Sequence, residues 1–401
     1  MRFCMVTTFY PPYNLGGCGT YVRALSRALI AQGHDVEVMH CLDAYRLKST
    51  DPLPDEGRDK GIVVHRLESP FGFLSPLITQ FTGRPGIKSR AMRVIFAQSF
   101  DVVHFHNISL VGGPAVITRS RAPVNLYTLH DHWLLCPTHV FWKNNSKQCD
   151  GPTCFRCSLA SGIPPQLWRY TRLVERSIAR VDAMLAPSVY TARQHRDGGL
   201  KAPIHVLPSF SAIEQQSDHT PQHDRPRFLF VGRLTASKGI VQLLEEFASL
   251  PAYDLQVIGD GELRNKLEQR FACCSNIHFL GPKPQAELVP LYQDATALIL
   301  PSLAPETFAL SIIEAFACRT PAIVRDAGAA GEPIEATGGG LVYRTSEELR
   351  EALSRVTNEP GLRETLAGRA RDGFLRLYTW ERHVTKYLAL VESIQLAKGL
   401  S

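Results

Sequence analysis

Two carboxylates, Glu306 and Glu314, are separated by seven residues in the stretch Ala-Pro-Glu-Thr-Phe-Ala-Leu-Ser-Ile-Ile-Glu-Ala-Phe-Ala-Cys. An apolar run, residues 296–300, precedes them and reads as a strand; residues 309–318 carry a helical pattern that includes the second glutamate. The spacing therefore predicts Glu306 in the loop at the carboxyl end of a strand and Glu314 on the helix that follows. In open α/β sheets this is the crevice where ligands bind. The amides of Thr307, Phe308, Ala309 and Leu310, at the start of that helix, suit a phosphate. One carboxylate can then hold sugar hydroxyls and the other a ribose, with a diphosphate between them. Taken alone, the pair reads equally well as a loop acid and a solvated helix acid.

Two cations sharpen the picture. Arg233 and Lys238 stand five residues apart in Val-Gly-Arg-Leu-Thr-Ala-Ser-Lys-Gly (231–239), a strand-to-helix turn in which they can neutralise a diphosphate. The plain alternative is a pair of solvated loop cations. Gly259, in Ile-Gly-Asp-Gly-Glu-Leu, marks a second Gly turn expected to shape the same crevice without doing chemistry. Near the N-terminus, Gly16 and Gly17 lie in a Gly-rich turn, residues 9–20, between a strand pattern and a helix pattern. Glycine there lets the backbone approach a ligand or simply make a tight turn. The spacing is not Gly-x-Gly-x-x-Gly, so a dinucleotide fingerprint is excluded.

These motifs sit in a chain of 401 residues, 44% hydrophobic and 20% charged, which is the make-up of an ordinary globular protein with about two domains. No apolar run has the roughly 18 residues of a membrane-spanning helix. The opening Met-Arg-Phe-Cys-Met-Val-Thr-Thr-Phe runs straight into a strand pattern, which argues against a signal peptide and for a cytoplasmic protein. Charge is uneven: residues 1–200 hold 23 Lys and Arg against 14 Asp and Glu, and residues 201–401 hold 21 against 24. The basic half points to an anionic partner.

Strand and helix patterns alternate throughout. Strands are predicted at 2–9, 35–41, 61–68, 101–106, 124–130, 183–188 and 204–209, with amphipathic segments such as 21–32 and 167–180 between them. A polar stretch, 215–226, reads as a linker. The pattern restarts with strands at 227–233, 254–259, 276–280, 296–300, 321–325 and 340–343, and a helix over 380–397 has no strand after it. The expected organisation is an α/β protein with two Rossmann-like doubly wound domains, 1–214 and 227–379, a linker at 215–226, and a C-terminal helix in 380–401.

Cys136, Cys149, Cys154 and Cys157 fall within 22 residues, 136–157. The readings are a tetrahedral Zn²⁺ site that staples the loop, an iron–sulfur cluster, buried free thiols, or a redox pair. Arg169, Arg172, Arg176 and Arg180 recur at three- and four-residue spacing, and Arg84, Lys88, Arg90 and Arg93 form a second basic stretch. On a helix the first set shares one face. The expected partner is an anionic membrane surface; a solvated surface helix is the alternative. Nucleic acid is excluded, because stacking aromatics and a recognised module are missing.

In order and spacing, Gly-Arg-Leu…Lys-Gly (232–239), Val-Ile-Gly-Asp-Gly-Glu-Leu (257–263), Phe-Leu-Gly (279–281) and the Glu-x7-Glu stretch (306–314) resemble a retaining GT-B glycosyltransferase of family 4, over nearly the whole chain. The resemblance implies two domains facing a central cleft, with the last helix crossing back to the first. It implies that Arg233 and Lys238 hold the nucleotide diphosphate, Glu314 the ribose, and Glu306 the donor sugar near its reacting carbon. The backbone of Leu280 and Gly281 would edge the base. His130, in Thr-Leu-His-Asp-His-Trp, matches the family's N-domain histidine at the donor sugar, and His106 is placed behind it or on the acceptor side. Similar Cys-rich loops follow the His-Asp motif in a subset of the family, which implies a loop-shaping role. One departure is plain: glycines common around the first glutamate are replaced by Thr307 and Ala309, which bears on sugar preference.

The implied activity is transfer of a hexose from a nucleotide-diphosphate sugar, UDP- or GDP-linked, to a saccharide or polyprenyl-linked acceptor in polysaccharide or glycoconjugate synthesis. No Asp-x-Asp metal motif is present, so cationic side chains and a helix N-terminus are expected to neutralise the diphosphate without a catalytic metal. Rival readings are a nucleotide-sugar epimerase or hydrolase on the same scaffold, and a non-catalytic sugar-nucleotide-binding protein.

Overall fold

In the computed structural model the described residues are 1–49, 59, 61–144, 146–211, 213 and 225–400. Most of the linker assigned to 215–226 lies outside them; only Arg225 and Pro226 are described. The chain forms two compact units, one of Met1–Val140, Gly151–Pro208 and Trp380–Ser401, the other of Phe141–Asp150 and Ser209–Thr379.

The strands run in chain order as β1 (Arg2–Val6), β2 (Asp35–Cys41), β3 (Ile62–Leu67), β4 (Val102–Phe105), β5 (Val124–Thr128), β6 (Trp142–Lys143), β7 (Lys147–Gln148), β8 (Ala183–Ala186) and β9 (Ile204–Val206). In the second half they are β10 (Arg227–Val231), β11 (Asp254–Ile258), β12 (Ile277–Gly281), β13 (Ala297–Leu300), β14 (Ala322–Arg325) and β15 (Gly340–Tyr343). The first unit builds a seven-stranded parallel sheet in the order β3-β2-β1-β4-β5-β8-β9. The second builds a six-stranded parallel sheet, β12-β11-β10-β13-β14-β15. Each order reverses once, between β1 and β4 and between β10 and β13, and such reversals open a crevice at the carboxyl ends of the strands. The predicted strands all appear, most of them shorter than expected. In β1 the pairing stops at Val6, and the Thr8 amide turns to the Asn107 carbonyl at 2.6 Å. The small antiparallel β6–β7 hairpin had no periodic signal to announce it.

Both sheets are buried on two faces, so their strands are apolar runs rather than alternating ones. Phe3, Met5, Val103, Phe105, Leu126 and Met184 are core residues of the first sheet, and Phe228, Phe230, Leu298, Ile299 and Ile323 of the second. The last helix, Trp380–Ala397, belongs to the first unit, where Val384, Tyr387 and Val391 are buried. Its Tyr387 hydroxyl meets His104 Nδ1 at 3.0 Å, and His383 Nδ1 donates to the Pro208 carbonyl at 2.8 Å.

Candidate active site

In the second unit the two glutamates lie on the carboxyl side of the switch point. After β13 the chain enters a loop that holds Glu306 and then the helix Leu310–Ala317, which buries Ile312, Ile313, Ala315, Phe316 and Ala317 and carries Glu314 half-buried. Ala309 caps that helix with φ −100° and ψ 99°, ordinary extended backbone, so no glycine is required where relatives have one.

The loop is held on both sides by backbone. Leu303 and Ala304 amides both donate to the Ser237 carbonyl at 2.9 Å, tying it to the short 3₁₀ turn Ala236–Lys238. On the other side Glu306 pairs with Gly328: its amide donates to the Ala327 carbonyl at 3.2 Å, and its carbonyl accepts from the Ala329 amide at 2.8 Å. Gly328 has φ +65°, and a Cβ there would sit 2.5 Å from the Glu306 carbonyl oxygen. Gly239, at φ +70°, passes so close to the Pro301 carbonyl that any side chain would collide with it.

This frame brings Lys238 and Glu306 together, Nζ to Oε1 at 2.6 Å, with the buried Ser302 hydroxyl donating to the same oxygen. Arg233, between β10 and that 3₁₀ turn, is exposed. Glu314 accepts from the Tyr292 hydroxyl at 2.9 Å. Burial raises the Glu314 carboxyl above its usual range, and the Tyr292 hydrogen bond pulls partly against it. Gly259 and Gly281 complete the rim of strand ends: the Gly259 amide donates to the Gly281 carbonyl at 3.0 Å, and Leu280 is half-buried beside it in sequence. Gly259 itself, at φ +131°, abuts the Gly232 carbonyl, so it closes β11 against β10. Thr307 and Phe308 are half-buried between Glu306 and the helix, and the Phe308 ring lies 6.2 Å from that of Tyr378.

In the first unit, Gly16 precedes the helix Gly17–Ala31 with φ +84°, and Gly17 begins it. The helix starts four residues earlier than expected. Space is tighter at Gly19, where a side chain would collide with Asn14 and the Phe9 carbonyl. His130 follows β5 and bonds His106, which follows β4: His106 Nδ1 lies 3.0 Å from His130 Nε2. The Tyr21 ring meets His130 edge-on at 5.0 Å, and its hydroxyl meets His383 Nε2 at 2.8 Å. Burial holds His130 and His383 each at about 4, so both are neutral near pH 7.

Three expectations are corrected. The helix read over 167–180 is broken: a 3₁₀ turn, Leu167–Tyr170, ends in extended backbone at Thr171, and an α-helix resumes at Leu173–Ile178. The four arginines therefore do not share a face. Arg169 turns inward, stacking on Trp133 and Trp168 and donating to the Trp133 and Leu134 carbonyls at 2.6 and 3.2 Å. Lys88 is also internal, its ammonium bonded to Ser75, Thr79 and the Leu110 carbonyl at 3.1 Å each, and burial lowers its pKa.

The third correction concerns the cysteines. Among the described residues no group of three or more His, Cys, Asp or Glu side chains could hold a metal ion, so the Zn²⁺ and iron–sulfur readings of Cys136, Cys149, Cys154 and Cys157 fall. Cys136 Sγ lies 3.2 Å from Thr138 Oγ1, and Cys154 and Cys157 sit on a short helix, Cys154–Ala160. The turn after His130 is held by Asp131 instead, which accepts from Asn107 at 3.0 Å and the Trp133 amide at 2.9 Å and pairs with His139 at 2.8 Å. Burial would raise the Asp131 carboxyl, but its partners, His139 foremost, outweigh that and hold it at about 2. Of the residues missed in the sequence, Tyr292, Gly328, Tyr21 and His383 act through partners far along the chain, which spacing does not reveal, whereas Ser302 and Asp131 act on neighbours within loops that carry no periodic signal.

Two parallel Rossmann-like sheets with these loops define the GT-B class of glycosyltransferase. The comparisons agree: residues 15–211 match the family described as Glycosyltransferase Family 4, and residues 211–373 match Glycosyl transferases group 1. The chain belongs to the family 4 glycosyltransferases and is an enzyme of that kind. It is 26% identical to a glycogen synthase of Mycobacterium tuberculosis, over 96% of this chain and 93% of that one. In structure it is similar to sucrose-phosphate synthase from Thermosynechococcus elongatus, with a TM-score of 0.77, 20% identity and 99% of each chain covered. It is similar also to Anabaena Alr3699/HepE, whose structure is in complex with UDP-glucose, with a TM-score of 0.69, 18% identity, and 98% and 100% covered. Among the described residues no helix is long and apolar enough to cross a membrane.

Proposed function

We propose that the second unit binds a nucleotide-diphosphate hexose, and that the enzyme transfers the sugar to a saccharide with retention of anomeric configuration. The observation that carries this is the Lys238–Glu306 pair in the loop that leads into the helix carrying the half-buried Glu314. Arg233 and Lys238 offer the diphosphate two cations, and the amides of residues 307–310 add the positive end of a helix. Glu314 takes the ribose hydroxyls, Glu306 the sugar near its reacting carbon, and the backbone at Leu280 and Gly281 the base. In the first unit His130 is the candidate for a donor-sugar contact. Complexes of a similar protein with UDP and UDP-glucose support a uridine nucleotide as the first donor to try.

On this reading the acceptor oxygen attacks the face from which the nucleotide departs, and the leaving phosphate takes the acceptor proton. The protein contributes position and charge: its cations stabilise the departing diphosphate, and Glu306 faces the developing oxocarbenium. Lys238 plays two parts. It orients the buried Glu306 carboxylate, 2.6 Å from its ammonium, and it stands ready to meet a phosphate.

A lipid-linked acceptor at an anionic membrane face is a second reading, favoured by one observation. Phe71, Phe73, Leu74, Ile78 and Phe81 are all exposed within eleven residues, followed in sequence by exposed Arg84, Arg90 and Arg93. The enzyme would then work at the cytoplasmic side. Thermal shift against a panel of nucleotide-sugars tests the donor assignment: the true donor raises the melting temperature, and a panel without effect rejects it.

A further inference from the structure

We infer that Tyr292 is a positioning residue for the donor site: its hydroxyl fixes one oxygen of Glu314 and so presents the ionised carboxylate to the ribose. The inference rests on the donor-site reading above and adds to it a residue outside the Glu-x7-Glu motif.

Tyr292 is fully buried, yet its one polar side-chain atom points at Glu314 Oε2, 2.9 Å away. It is carried by the helix Gln285–Gln293, whose end is pinned by a second contact: the Thr320 hydroxyl donates to the Tyr292 carbonyl at 2.6 Å. The ring and its hydroxyl are thus fixed from both ends, which a partner for a single rotamer of Glu314 requires. A long flexible carboxylate that must meet two ribose hydroxyls loses less freedom on binding if one oxygen is already tethered.

The surroundings of Glu314 make the hydroxyl matter. Its own helix adds Cys318, whose thiol burial and the Glu314 charge push up to about 12. The helix Leu362–Leu377 adds Arg371, which donates to the Ala317 carbonyl and bears on Cys318. The adjoining strands β13 and β14 bring Ala, Leu, Ile and Val, with Arg325 at the far end. Burial favours the neutral acid at Glu314, and the Tyr292 hydrogen bond opposes it. Without the hydroxyl the carboxyl rises further and protonates nearer neutrality. A protonated Glu314 offers the ribose a weaker acceptor, so binding weakens as pH falls.

The test is calorimetric titration of UDP and GDP into the intact chain and into Tyr292→Phe, from pH 5 to 8. The variant keeps the buried ring. Expected are a roughly tenfold weaker Kd at pH 7, a binding midpoint moved to higher pH, and little change in kcat against a clear rise in KM. Glu314→Gln should remove the pH dependence, and Tyr292→Phe should add nothing to it. Thr320→Val, which removes the hydroxyl bond to the Tyr292 carbonyl, should lower stability and leave the pH profile in place. An unchanged Kd and pH profile in Tyr292→Phe, even with lowered stability, overturns the inference while the donor site stands. If the wild-type chain binds neither nucleotide, the donor-site reading falls and the inference with it.

Discussion

Lys238 Nζ and Glu306 Oε1 lie 2.6 Å apart although 68 positions separate them in the chain, and Glu306 is 9% exposed. The pair is built by backbone, since Ser237 holds the loop after β13 while Gly328 holds Glu306 from the opposite side. Lys238→Ala leaves the carboxylate with Ser302 alone. We expect a loss of about 1–3 kcal/mol of stability and a fall in transfer rate on the order of 10²–10³. Arg233→Ala, at an exposed position, should leave stability within about 0.5 kcal/mol and weaken donor binding. Chemical denaturation and initial rates on the same preparations separate the two effects.

Gly328→Ala should be more damaging than its size suggests. The residue is held at φ +65° with the Glu306 carbonyl where a Cβ would go, so both strain and collision oppose the change. Positive φ in a non-glycine residue costs on the order of 1–3 kcal/mol. A lowered melting temperature together with weakened nucleotide-sugar binding is the expected result, while Gly331→Ala, with open space around its Cβ, should do neither.

Buried histidines set the acid limit of the fold. His40, His130 and His383 are each held at about 4 by burial, below their ordinary value of 6.5. Between those two values the unfolded chain binds protons that the native chain refuses, so stability rises with pH across that window and is lost as pH falls through it. Each such group contributes about 3 kcal/mol at most. His383→Gln, which keeps a hydrogen-bond donor and acceptor, should flatten the stability profile between pH 4 and 6.5, as urea titrations at stepped pH would show.

The exposed apolar segment makes a separate prediction. If a lipid-linked acceptor is used, the chain should sediment with vesicles containing anionic lipid and release them with salt. Phe73→Ser with Phe81→Ser should abolish that binding and leave nucleotide-sugar binding unchanged. Indifference of the wild-type chain to anionic vesicles at low salt would leave the soluble saccharide as the acceptor.

The sequence was most legible where chemistry and period coincide. Residues such as 228–230 and 297–300 are continuous apolar runs because both faces of each sheet are covered, and the shortness of these runs, alternating with helix-length segments, located them. Arg233, Lys238, Glu306 and Glu314 stood out only through the order and spacing of their motifs and the family resemblance these carry; each charge alone reads equally well as a solvated side chain. What stayed hidden depends on tertiary partners. Arg169 looked like one of four surface cations; the paired indoles of Trp133 and Trp168, distant from each other in sequence, draw it inside. Lys88 had the same spacing logic and is internal because Ser75, Thr79 and Leu110 converge on it. Cysteine spacing suggested a metal staple, where Asp131 with Asn107 and His139 does the holding.

Proton NMR of donor turnover tests the central claim most directly. The wild-type chain is incubated with the nucleotide-sugar that raises its melting temperature and with a saccharide acceptor, and the anomeric signals are followed. The account predicts loss of the donor signal, a product of the same anomeric configuration, and loss of both changes in Glu306→Ala and Lys238→Ala. Transfer at near wild-type rates by those two variants, or a product of inverted configuration, would contradict it.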